Sequence, residues 1–91
     1  MKKTGGAISL AMRRRAIDAL DGRIADLLSA RLKLVESLAP LKTRLRDLKR
    51  ERQVLSRVSA RARGKEARFL KAVYQEIMRL SLAHQKSLRS R

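Results

Sequence analysis

The chain has 91 residues, long enough for one small domain whose own core is marginal, and its 24 Lys and Arg against eight Asp and Glu give a formal charge of +16. With no cysteine and a single histidine, His84, it excludes a disulfide framework, a thiolate metal site and a histidine metal site within one chain. One Tyr and one Phe among mostly Leu, Ala, Val and Ile, with abundant Arg and Lys, make a helix-forming composition, and the charge calls for an anionic partner.

The first residues, MKKTGGAISLAMRRR, begin like a signal peptide, but their weakly apolar run ends in three arginines and no cleavage signal follows. Residues 1–11 are therefore expected to be a loose tail of a cytoplasmic protein.

From Ala16 onward Ile17, Leu20, Ile24, Leu27, Leu34, Leu38 and Leu41 recur at steps of three and four, which predicts one long amphipathic helix. Pro40 lacks a backbone donor and disfavours helical geometry at Ala39, so this helix should kink or stop there.

A second helix is expected with Leu45, Leu48, Leu55, Val58 and Ala62 on its apolar side, and Gly64 as its C-terminal cap. Lys65 and Glu66 open a third, with Phe69, Leu70, Val73, Ile77 and Leu80 facing inward, and residues 89–91 form a basic tail. No strand alternation, hairpin dipeptide or internal repeat is present. The fold class is all-α, a three-helix chain with a long first helix.

Polar residues interrupt these apolar lines. Arg31 falls where the seven-residue repeat of 17, 24 and 38 wants a leucine, and an unpaired buried charge costs about 3–5 kcal/mol. On the third helix Ser81 and Gln85 continue the line Val73, Ile77 in steps of four.

Lys42 returns to the azimuth of Arg31 only if the helix survives Pro40. Asp47 and Glu51 lie one turn apart beside Arg50, whereas Arg14 lies about 100° away from Arg31 and more easily reaches a neighbouring subunit. Each residue singly could be a snorkelling cation or a capped hydroxyl. With three basic residues for every acidic one, however, internal pairs cannot satisfy every inward cation, and a small polyanion site is the physical alternative.

LDGRIADLLSARLKLV (20–35), Lys42, RERQVLSRV (50–58) and FLKAVYQEIMRLSLAHQ (69–85) together resemble the all-helical AroQ class of chorismate mutases, over residues 12–88. The resemblance implies a homodimer of intertwined three-helix chains that rearranges chorismate to prephenate in aromatic amino-acid biosynthesis, each site borrowing Arg14 from the partner. Arg14 and Arg31 would hold the two carboxylates, and Lys42 and Gln85 would donate to the ether oxygen. Asp47 and Glu51 would serve the ring hydroxyl, with Arg50 and Ser81 near the ring carboxylate.

A pericyclic reaction needs no nucleophile, metal or cofactor, only a compact conformer and donors aimed at developing charge. The stretch from Lys42 to Arg50 is shorter than usual for the family and follows Pro40, so this chain should differ from its relatives there.

Three other readings compete. An isochorismate-pyruvate lyase of the same fold would use a similar dianion site. A basic helical nucleic-acid-binding protein answers the charge directly, but no base-reading motif is present and hardly any aromatic could stack. A coiled-coil adaptor would prefer leucine at position 31. His84 is read as a helix-face residue without a chemical role, and Tyr74, Met12 and Met78 as packing or terminal residues.

Overall fold

The computed structural model describes the backbone of residues 2–41 and 44–89, and side chains from residue 9 within those ranges. Three α-helices carry the chain, α1 (Lys2–Leu38), α2 (Leu48–Ser59) and α3 (Gly64–Arg89), with no strand among the described residues. Two compact units are present, Met1–Lys33 and Leu34–Arg91.

Helix α1 extends back to Lys2, through most of the segment expected to be a loose tail. Once a helix is nucleated, each added residue brings a hydrogen bond for two fixed dihedrals, so the strongly helical stretch after Ala11 can propagate through poorer formers. Within this chain its apolar line remains exposed: Ile17, Leu20, Ile24, Leu27, Leu34 and Leu38 are each about half or more open to solvent. Arg31 is less exposed than these leucines and isoleucines, at the place in the repeat where the sequence predicts an inward guanidinium.

At Leu38 α1 gives way to a tight 3-10 turn, Ala39–Leu41, as the proline rule anticipates. Ala39 is the one buried apolar residue among those described. α1 thus ends before Pro40. Lys42 itself lies outside the described residues.

Asp47 starts α2. Its extended backbone (φ −126°, ψ 97°) and its Oδ1, which accepts from the Arg50 N–H at 3.0 Å, make it the N-cap, while the Glu51 N–H donates to the Asp47 carbonyl at 3.0 Å.

At its far end α2 tightens. The Ala60, Arg61 and Ala62 N–H groups donate to Ser56, Val58 and Ser59. These bonds occupy the Ser56, Val58 and Ser59 carbonyls without a left-handed residue. Gly64 is therefore not the cap of α2, contrary to the sequence expectation. It opens α3, and its φ of +57° supplies the reversal that a residue with a Cβ adopts only under strain.

Within the second unit α2 packs against α3. The covered sides are Val54, Leu55 and Val58 of α2, and Leu70, Tyr74, Ile77, Met78, Ser81, Leu82 and Gln85 of α3. The expected inner line of α3 thus divides: Leu70 and Ile77 are partly covered, whereas Phe69, Val73 and Leu80 form a second, exposed stripe. α2 can cover only one side of α3, and residues 69, 73 and 80 lie on another.

Candidate active site

A groove of about 360 Å³ lies along α2 and α3, lined by Arg46, Glu51, Leu55, Gln75, Met78, Arg79 and Leu82. The Asp47 cap sets the start of α2 and so places Glu51 in its first turn, partly covered. There Arg46 Nε donates to Glu51 Oε2 at 3.1 Å. On α3, Arg79 Nε donates to Glu76 Oε2 at 2.9 Å, with a second bond from Arg79 Nη2 to Oε1. Hydrogen bonding from Arg79 holds the Glu76 carboxyl below its ordinary value, slight desolvation works against this, and the charge of Arg79 adds to it. The groove is apolar along Leu55, Met78 and Leu82 and carries two guanidinium groups and a carboxylate at its edge.

Further along α3, three side chains meet the end of α1 and the 3-10 turn. Gln85 Nε2 donates to the Val35 carbonyl at 3.2 Å, Arg89 Nη2 donates to the Ala39 carbonyl at 3.2 Å, and His84 Nε2 lies 2.7 Å from Glu36 Oε2. The last carbonyls of a helix lack intrahelical partners and carry partial negative charge, so amide and guanidinium donors suit them. Arg89 is accordingly the docked last residue of α3 rather than part of a tail, while residues 90–91 lie outside the described residues. Gln85 is 4% exposed, and no buried side-chain donor or acceptor among the described residues lacks a partner. One turn earlier, the Ser81 hydroxyl donates to the Ile77 carbonyl at 2.7 Å.

Of the residues singled out from sequence, Glu51 lines the groove, and Ser81 and Gln85 lie on α3, one turn apart as expected. Asp47 and Arg50 are exposed at the start of α2, where their mutual bond is the helix cap. Arg14 and Arg31 belong to α1 in the first unit, the former exposed and the latter partly covered.

Sequence reasoning read Met78 as a packing or terminal residue and gave no site role to Arg46, Gln75, Arg79 or Leu82; all five line the groove. Gln75, Met78, Arg79 and Leu82 recur at steps of three and four, a signal masked by the stronger apolar line through Leu70 and Ile77. His84 does have a specific neighbour, Glu36.

Among the described residues no group of His, Cys, Asp or Glu could hold a metal ion, and no helix is long and apolar enough to cross a membrane.

Compared with models of protein families, residues 13–86 match chorismate mutase type II. The chain belongs to this family. The match to chorismate mutase type II runs from the RRR cluster of α1 to the turn of α3 that holds Gln85. It therefore encloses every candidate residue from Arg14 to Gln85. No curated protein matches the chain, and no solved structure does.

Proposed function

We propose that the protein is a chorismate mutase that converts chorismate to prephenate, acting in the cytoplasm in aromatic amino-acid biosynthesis. The observation that carries this reading is the family match over residues 13–86, which reaches into all three helices and includes all eight candidate residues.

In this reading Arg14 and Arg31 bind the two carboxylates and hold the substrate in its compact conformer, and Lys42 and Gln85 donate to the ether oxygen as its bond breaks. A donor aimed at developing charge contributes about 10²–10³ in rate. Gln85 can serve because a carboxamide has two N–H donors and the Val35 carbonyl occupies one. Glu51 likewise retains acceptor capacity beside the bond from Arg46, and can take the ring hydroxyl with Asp47. Ser81 has a single hydroxyl proton and must turn away from the Ile77 carbonyl to donate to the ring carboxylate, next to Arg50. The reaction requires no cofactor.

The active form is a homodimer in which Arg14 reaches the partner's site. The exposed line of Ile17, Leu20, Ile24 and Leu27 supports this, since a 3–4 repeat sustained along a helix is a seam for a second helix. Arg31 interrupts that seam, where a dianion between subunits would meet it.

The deciding experiment follows chorismate loss and prephenate formation with the purified chain, with isochorismate in parallel. Saturable prephenate production is expected. Release of pyruvate from isochorismate without mutase turnover would assign the site to the lyase chemistry, and no turnover of either would overturn the enzyme reading.

A further inference from the structure

Helix α2 has two sides of different chemistry. Glu51 faces Arg46 and the groove. Two residues are 200° of helix, so Lys49 points the opposite way, and Arg52, Gln53, Ser56 and Arg57 fall within about 80° of Lys49. These five residues, all exposed, border a shallow surface depression of about 380 Å³. The acidic residues of this region are engaged elsewhere, Asp47 in the helix cap and Glu51 with Arg46, and none of the ion pairs among the described residues involves Lys49, Arg52 or Arg57. The basic character continues past the helix through exposed Arg61, Arg63, Lys65 and Arg68, against Glu66 alone.

The proposed dianionic substrate uses none of these cations. A formal charge of +16 on 91 residues also costs the folded state self-repulsion, which a bound polyanion would relieve.

We propose that the outward face of α2, built on Lys49, Arg52 and Arg57, binds the phosphodiester backbone of nucleic acid. From residue 49 to residue 57 the helix rises about 12 Å, which measured along the duplex axis is the rise of roughly three to four phosphates of one strand. Gln53 and Ser56 lie between the cations and can donate to phosphate oxygens, contacts that position a backbone and carry no sequence information. Helix α2 has no aromatic residue to stack on a base, so recognition is independent of sequence, extends to both DNA and RNA, and is steeply salt-dependent. This surface stands apart from the mutase reading and survives its failure.

The test titrates the full chain against short fluorescent duplex DNA, its scrambled counterpart and single-stranded RNA of the same length, between 50 and 200 mM salt. Binding to all three is expected, with three phosphate contacts on α2 contributing roughly 40-fold of the duplex affinity lost across that range. The triple variant Lys49→Gln, Arg52→Gln, Arg57→Gln should flatten the log Kd against log salt slope for the duplex by about 2–3. A control of identical net charge, Arg23→Gln, Lys33→Gln, Lys71→Gln, should keep a clearly steeper slope. Glutamine is close to lysine and arginine in helix propensity, so circular dichroism should show both variants folded. If the triple variant unfolds, Arg52→Gln alone should still flatten the slope by about 1. Equal losses in the triple variant and its control, no binding at physiological salt, or displacement of DNA by polyglutamate as effectively as by unlabelled DNA would overturn the assignment.

Discussion

Gln85 of α3 donates its amide to the main-chain carbonyl of Val35, fifty residues earlier, and is itself almost wholly buried. That bond joins α3 to the last turns of α1 and uses one of the two amide hydrogens. Replacing Gln85 with Leu keeps the volume but removes both donors. The loss should lower stability by about 1–3 kcal/mol, because the Val35 carbonyl loses a buried partner. In the mutase reading it should also lower kcat by about 10²–10³. Urea unfolding and steady-state kinetics read the two effects separately, and unchanged kcat beside a lowered midpoint would leave Gln85 a structural role alone.

Asp47 presents a similar division. Its carboxylate caps α2, so Asp47→Ala should cost about 1 kcal/mol in urea unfolding. Asparagine caps equally well, and Asp47→Asn should retain the stability. Should Asp47→Asn also retain full activity, the carboxylate charge has no part in binding the ring hydroxyl.

The exposed line along α1 predicts a stability that depends on protein concentration. Leu20→Glu with Ile24→Glu places charges in the proposed seam, and should shift sedimentation from dimer to monomer and abolish activity. A monomer that retains full activity would remove the intertwined dimer from consideration.

The shared site can be tested by complementation. Arg14→Ala and Arg31→Ala should each abolish activity as homodimers while preserving helical content. Refolded together in equal amounts, they should recover about a quarter of wild-type activity, since half the dimers are mixed and each mixed dimer assembles one intact site. Recovery of nothing from verified heterodimers would place Arg14 and Arg31 in the same subunit's site.

Gly22 offers a check on α1 itself. It lies inside the helix on the side away from the seam, and a Cβ there would meet no atom within 4 Å. Gly22→Ala should therefore raise stability by about 0.5–1 kcal/mol, read as an increase in thermal midpoint with activity unchanged.

Helix order, the break at Pro40, the partly covered Arg31 and the inward Gln85 follow from sequence by itself. Each depends on residues three to seven positions apart, or on the missing N–H of one proline, and such relations are written in the local order of the chain. The tertiary structure decided what those residues meet: Val35 for Gln85, Ala39 for Arg89, Glu36 for His84, and the α3 residues Met78 and Arg79 facing Glu51 across the groove. It also divided the apolar residues of α3 into a covered and an exposed line. Helical periodicity gives the direction of a side chain about its own axis, but the partner in that direction is chosen only when separate helices dock, and that depends on the turns at Ala39–Leu41 and Gly64 together with the packing of α2 on α3.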